Sequence, residues 1–176
     1  MKYFYIFLCL LCFNYSIAST FSKHQMQIEL TNLAGKWWVQ YTNFPMWLKG
    51  DKQKPTFNYT VLQSNKKIGL YDEVRYIQQN QSKSIVGFDT PLNTENTKFS
   101  WRGKGLLYFF VSKWEILYIN EASTWAIIRF EKTLATPKGY DVISRNETID
   151  AQEHLLIQQK LKELDIIGLT YLTKNE

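Results

Sequence analysis

Short runs of aromatic and β-branched residues, each bounded by turn residues, fill the chain between Gly35 and Arg145. Within the runs apolar and polar positions alternate, which is typical of antiparallel strands. We expect eight strands, over residues 36–43, 57–63, 68–78, 84–90, 98–102, 114–120, 124–130 and 140–145. Eight short strands at this spacing predict an all-β sandwich or barrel.

A helix is expected after the last of these strands. Asp150 can accept hydrogen bonds from the free amides of a first turn, and Glu153, three positions later, completes a capping-box pattern. Apolar residues then recur at helical spacing, so the helix should pack one stripe against the outside of the sheet. The stripe consists of Ile157, Leu161 and Leu164. His154 lies on the same stripe, where packing is a commoner role for histidine than catalysis.

The first eighteen residues are typical of a secretory signal. Lys2 precedes an apolar run over residues 3–13, and small residues at Ser16 and Ala18 suit cleavage after Ala18. The run is too short to cross a bilayer as a helix. We therefore expect a secreted or periplasmic protein. Because Cys9 and Cys12 both lie in the segment to be removed, the mature chain has no thiol, disulfide or metal–thiolate site.

Composition narrows the function classes further. The chain has 176 residues, of which 45% are apolar, and a formal charge of +5. This excess is too small and too scattered to predict nucleic-acid binding. After residues 1–18 and a lead-in segment over residues 19–32, we expect one domain over residues 33–176. Neither a metal-ligating constellation nor a cofactor motif is present in the sequence, so no cofactor is predicted.

Gly35 and Trp37 open the first strand, and Arg145 closes the last one directly before the helix. Together with the order of the last three strands, this pattern resembles the lipocalin family, in which a Gly-x-Trp packs beneath an arginine at the closed end of a barrel. The resemblance implies an eight-stranded antiparallel up-and-down barrel with a C-terminal helix outside it. Within the family, the lipid-binding group with outer-membrane and apolipoprotein-D-like members is the best match.

Strand alternation indicates which side chains of such a barrel face inward. The glycosylation sequon at Asn58 places that residue outside, and Glu115 marks the outer face of the sixth strand. Sequons also occur at Asn80 and Asn146. Leu117 and Ile119 should lie under the helix. The predicted ligand-binding lining is Val39, Tyr41, Phe57, Tyr59, Val61, Phe99, Trp101, Trp114, Ile116 and Tyr118. The same rings could instead fill the barrel as an ordinary core.

Lysines are frequent in the connections that meet at the open end of this topology. They are Lys49, Lys52, Lys54, Lys83, Lys104, Lys113, Lys132 and Lys138. A basic mouth attracts carboxylate or phosphate head groups, or an anionic membrane surface. The alternative is that these lysines only keep the protein soluble.

Two apolar segments in the same connections need a separate explanation. Residues 44–48 stand beside three lysines, and they form either a lid or a short cap folded under the rim. Residues 106–111 raise the same question, as a lid or as a hidden plug.

The sequence thus predicts a carrier that binds a small hydrophobic molecule, such as a fatty acid, lysolipid, sterol or pigment, without turnover. One alternative is a lipocalin-fold isomerase that uses an inward carboxylate such as Asp72 or Glu73. Another is a filled barrel that binds a protein partner through its open-end loops. No oligomeric state is predicted.

Overall fold

The computed structural model describes residues 26–64, 67–133 and 137–172. The predicted signal segment, with Cys9, Cys12 and His24, lies outside the described residues. The strands are β1 (Gly35–Thr42), β2 (Gln53–Ser64), β3 (Lys67–Gln78), β4 (Gln81–Pro91), β5 (Lys98–Gly103), β6 (Val111–Ile119), β7 (Trp125–Phe130), β8 (Gly139–Ser144) and β9 (Thr170–Tyr171). The helices are α1 (Leu30–Leu33), α2 (Pro45–Leu48) and α3 (Ala151–Glu163), and a 3₁₀ turn spans Gly105–Leu107.

Strands β1 to β8 form a closed barrel. Each strand pairs antiparallel with the next along the chain, and β1 pairs with both β2 and β8, which closes the sheet. The short strand β9 pairs with the end of β1 that β2 does not cover, with Tyr171 opposite Tyr41. Each of the eight predicted strands overlaps an observed one, and the predicted antiparallel barrel with an outer C-terminal helix is confirmed.

Two β-bulges change which side chains face the interior. The register shifts between Val39 and Tyr41 in β1 and between Ile116 and Tyr118 in β6. A bulge adds one residue to a strand, so the alternation of faces reverses beyond it. As a result Tyr41 and Tyr118 lie in the outer cluster beneath α3, and the prediction that they line the interior is wrong. Ile119, expected under the helix, packs against the inner core instead.

Helix α3 covers the outer wall. Asp150 caps its first turn, accepting a hydrogen bond from the Glu153 backbone N–H at 2.8 Å. The Glu153 carboxylate does not return to the cap, because it accepts a hydrogen bond from the Ser144 hydroxyl at 2.9 Å. Ile157 and Leu161 are buried against the barrel as expected. The helix ends before Leu164, so that residue is exposed, contrary to the prediction.

His154 connects α3 to the barrel wall. Its Nδ1 lies 2.6 Å from the hydroxyl of Tyr41, and its ring packs edge-on against Tyr171 at 5.5 Å between centroids. The side chain therefore helps to hold the helix and β9 against β1, at a distance from the barrel interior. Among the described residues, none of the helices has the length and apolar character needed to span a membrane.

Candidate functional site

Aromatic side chains bridge the barrel interior. Tyr59 of β2 stacks on Trp114 of β6, with ring centroids 6.0 Å apart and planes at 10°. These strands stand on opposite sides of an eight-stranded barrel, so their contact spans the interior. Phe99 stacks on the same indole at 4.4 Å, and Phe57 stacks on Tyr59 at 6.1 Å. The inward rings thus pack against one another, which is the filled-core alternative of the sequence analysis.

Helix α2 closes the open end of the barrel. Phe44, just before the helix, meets Phe130 edge-on at 5.2 Å, and Trp47 meets Tyr76 in the same way at 5.8 Å. Both Phe44 and Trp47 are buried in the inner core. Gly139 leaves the space that the Phe44 ring occupies, since a Cβ there would overlap that ring. Residues 44–48 therefore form the short cap rather than an extended lid.

Trp37 and Arg145 close the other end. The Arg145 guanidinium lies 3.6 Å from the Trp37 ring centroid and donates to the carbonyl of Asn32 at 2.7 Å. The Trp37 indole donates to the carbonyl of Leu33 at 2.7 Å, which ties α1 to the barrel floor. Gly35, with φ 96°, allows the guanidinium to approach, because a Cβ there would lie 3.1 Å from Nη1. Partial burial lowers the pKa of Arg145.

Three carboxyl groups are buried in the aromatic interior, on Asp72, Asp89 and Asp141. The Trp114 indole donates to Oδ1 of Asp89 at 2.6 Å. Trp101 donates to Asp72, and Thr42 donates to Asp141. Each carboxyl group keeps one buried oxygen without a hydrogen-bond partner, namely Oδ1 of Asp72, Oδ2 of Asp89 and Oδ1 of Asp141. Buried polar atoms are normally paired, so these three oxygens mark a site for a hydrogen-bond donor.

Burial also changes the ionisation of these groups. Desolvation raises the pKa of Asp89 and of Asp141 to about 7, against partial opposition from their hydrogen bonds. Desolvation and the nearby Asp89 raise the pKa of Asp72 well above its usual range. Tyr59 stands near all three, and its burial and their charges raise its pKa. At neutral pH the interior therefore holds at least one protonated carboxyl group beside aromatic faces.

The sequence identifies only part of this cluster. It offers Asp72 and Glu73 together, and the structure separates them, since Glu73 lies on the outside in an ion pair with Arg75 at 2.7 Å. It misses Asp89 and Asp141. Both occupy inward positions of strands whose other inward residues are apolar. An acidic residue in line with inward apolar residues is the sequence signal that could have identified Asp89 and Asp141.

The predicted mouth lysines do not form one group. Lys49, Lys104, Lys113, Lys132 and Lys138 are exposed at or near the open end. Lys52 pairs with Asp51 at 3.0 Å, and Lys83 donates to Gln81. Lys54 forms an ion pair with Glu147, in the segment between β8 and α3, at 3.5 Å. Lys54 also lines a cavity beside helix α2, so this ion pair does not remove it from the open end.

Two surface cavities flank the barrel. One of about 260 Å³ lies beside the cap, between Trp47, Val39 and Leu172. Because Val39 and Trp47 belong to the inner core, this cavity brings solvent close to the interior. The other, of about 530 Å³, lies on the outer face of β3 and β4, lined by Tyr71, Phe88 and Arg102 among others. Within the described ranges, no group of three or more His, Cys, Asp or Glu residues is arranged to hold a metal ion.

Comparison with known proteins gave matches in structure only. No protein-family model matches the sequence, and no curated protein does. Insecticyanin from the tobacco hornworm Manduca sexta superimposes with a TM-score of 0.62 at 13% identity, covering 85% of this chain and 82% of its own. Lobster apocrustacyanin A1 gives 0.60 at 14% identity, covering 83% and 79%. The siderocalin Ex-FABP gives 0.59 at 12% identity, covering 82% and 96%.

The chain has the lipocalin fold. The resemblance seen in the sequence is thereby confirmed at the level of the fold. Sequence identities of 12 to 14% establish a shared fold and do not establish a shared function. The assignment to the outer-membrane and apolipoprotein-D-like group stays a prediction. The interior of this barrel holds three carboxyl groups among stacked rings.

Proposed function

We propose that this protein is a secreted or periplasmic carrier, which binds one small apolar molecule in the barrel interior without turnover. The observation that carries the proposal is the set of three buried carboxyl groups, each with an oxygen that lacks a partner. Leaving a buried polar atom unpaired costs about 1 to 3 kcal/mol, so three such atoms are a large cost for a barrel with a purely structural role. A ligand that donates to these oxygens removes that cost.

The carboxyl groups also select the ligand. Their free oxygens accept hydrogen bonds when ionised, and a protonated group also donates one, so a hydroxyl group, which donates and accepts, or an amine group is complementary to them. A carboxylate is not, because burying a second anion beside Asp89 and Asp141 is unfavourable once either group ionises. Of the ligand classes predicted from the sequence, hydroxyl-bearing sterols and pigments therefore fit better than fatty acids. The siderocalin neighbour is described as functioning through dual ligand specificities, which is consistent with a binding role for this fold.

Binding requires the interior to open. The stacked rings of Tyr59 and Trp114 must separate, and helix α2 with Phe44 and Trp47 must move from the rim. The cavity of about 260 Å³ beside α2 is where the ligand first meets the inner core. The cap is only four residues long, and its displacement must expose the buried rings of Phe44 and Trp47.

Matched ligand pairs test the proposal. Retinol and retinoic acid share one apolar skeleton, as do dodecanol and dodecanoate, and each pair differs only in the polar group. Calorimetric titration at neutral pH should show the alcohol binding at least about tenfold more tightly than the acid in each pair. Asp89→Asn should reduce that preference, while Asp165→Asn, an exposed control, should not. Equal binding of alcohol and acid, or no binding of either, would refute the proposal.

The neighbouring Asp72 and Asp89 also support a second candidate function. Burial raises the pKa of both carboxyl groups, and two such neighbours are an arrangement that proton-transfer enzymes use, in which one group donates a proton to the substrate and the other removes one. This favours an isomerase acting on an apolar substrate as the second candidate. In that case Asp72→Asn abolishes conversion of a bound unsaturated ketone but leaves its binding unchanged, whereas in a carrier no conversion occurs with either protein.

A further inference from the structure

The connection between β5 and β6 exposes several large apolar side chains on one short loop. Leu106 is 97% exposed and Phe109 is 89% exposed, and Phe110 and Val111 are about half-exposed beside them. We call residues 104–111 the exposed loop. The sequence predicted either a lid or a hidden plug here, and the structure shows neither. A cluster of this kind on a protein surface usually marks an interaction site.

The exposed loop is held firmly in this conformation. Its 3₁₀ turn is followed by a hydrogen bond from the Phe110 N–H to the Leu107 carbonyl at 2.9 Å. The Arg102 guanidinium donates to the carbonyl of Tyr108 at 3.1 Å. Leu107 turns back onto the barrel, where Gly103 leaves room for it, since a Cβ on Gly103 would overlap Leu107. The outward side chains are therefore presented by a fixed backbone.

Cationic side chains stand directly beside the apolar tip. Arg102 lies over the ring of Tyr108 at 5.2 Å, and Lys104 lies over the ring of Tyr71 at 5.4 Å. Together with Lys67 they line the outer-wall groove of about 530 Å³ that begins at the exposed loop. In the part of the chain that the structure describes, none of the residues lining this groove is acidic.

We propose that the exposed loop inserts Leu106 and Phe109 into the surface of an anionic membrane, while Lys67, Arg102 and Lys104 bind lipid phosphate groups in the adjacent groove. Large apolar side chains with flanking cations and a tyrosine between them match the layered chemistry of a bilayer interface. A protein partner would not require the one-sided positive charge of the groove. Docking in this way is independent of what the interior binds.

Vesicle co-sedimentation tests the proposal directly. The purified protein should bind vesicles of phosphatidylcholine and phosphatidylglycerol at least about tenfold more tightly than vesicles of phosphatidylcholine alone, and added salt should weaken the binding. The double variant L106S/F109S should lose most of the binding. Ile167→Ser is the matched control, because Ile167 is 87% exposed on the segment after α3, and it should bind like the parent. All variants carry the same N-terminus.

A charge variant separates the two parts of the site. R102Q/K104Q leaves only Lys67 of the three cations, so it should strongly reduce the preference for anionic vesicles and retain weak binding to both kinds. The proposal is overturned if anionic vesicles do not bind the parent protein, or if Ile167→Ser weakens binding as much as L106S/F109S. It is also overturned if L106S/F109S dissolves a dimer or a protein complex but leaves vesicle binding unchanged. Retinol titration of L106S/F109S should match the parent, so failure here is distinguishable from failure of the carrier function.

Discussion

Replacing Asp141 with asparagine removes one buried ionisable group and keeps the size of the side chain. In the unfolded chain an aspartate has its ordinary pKa of 3.8, whereas burial raises the pKa of Asp141 to about 7 in the barrel. Between these two pH values the folded chain holds a proton that the unfolded chain has released. The free energy of unfolding must therefore fall as the pH rises through this window, and it stops falling above it.

The magnitude follows from the width of the window. Each pH unit changes the free energy of unfolding by about 1.4 kcal/mol for one such group, so Asp141 alone accounts for about 4 kcal/mol across the window. Burial raises the pKa of Asp89 in the same way, so Asp89 adds a similar pH dependence to the free energy of unfolding. The substituted asparagine cannot ionise, and its amide oxygen still accepts the hydrogen bond from Thr42. The Asp141→Asn variant should thus keep part of the slope and lose the share of Asp141.

Urea unfolding, followed by tryptophan fluorescence at a series of pH values from about 4.5 to 8, measures this slope. We expect the parent protein to be most stable at mildly acidic pH. In Asp141→Asn the decline should be shallower by about 1.4 kcal/mol per pH unit. Asp165→Asn makes the same chemical change at an exposed position and should leave the slope as it is. An unchanged slope in Asp141→Asn would refute the assignment of a buried, neutral Asp141.

Three further predictions concern the two ends and the wall of the barrel. Arg145→Met removes the cation over Trp37 and should lower the free energy of unfolding by about 1 to 3 kcal/mol in the same urea assay, with Arg145→Lys intermediate; an unchanged midpoint would contradict a closing role. Gly139→Ala should push Phe44 out of the cap, so retinol should associate faster in a stopped-flow experiment. Slower association would contradict the role of α2 as the gate. Tyr118→Arg should loosen α3, which limited proteolysis would record as faster cleavage of the helix, and it should leave the affinity for retinol unchanged because Tyr118 lies outside the barrel. A loss of retinol affinity would show that Tyr118 faces the interior.

The strands were predictable because alternation and turn residues are local signals. Phe57, Tyr59 and Phe99 lie inward as the alternation predicts, for this reason. Tyr41 and Tyr118 were misplaced by bulges, whose positions depend on pairing with the neighbouring strand and leave no local mark. The Trp37 and Arg145 contact was accessible only through the family resemblance, since the two residues are far apart in the sequence.

The candidate site was less predictable than the fold. Aromatic residues dominate the interior, so the sequence indicated an apolar cavity and missed Asp89 and Asp141. Their burial arises from contacts between distant strands, such as the hydrogen bond from Trp114 to Asp89. The sequence alone allows both a lid and a cap at residues 44–48, because only the packing of Phe44 and Trp47 distinguishes a buried turn from a lid.

Native mass spectrometry of protein purified from its own source, followed by organic extraction, tests most directly whether the interior carries a ligand. We expect about one apolar molecule with a hydroxyl or amine group per chain, and loss of that molecule from a chain with Asp72→Leu and Asp89→Leu. An empty chain, or a bound carboxylate that survives both substitutions, would show that the buried carboxyl groups do not select a ligand.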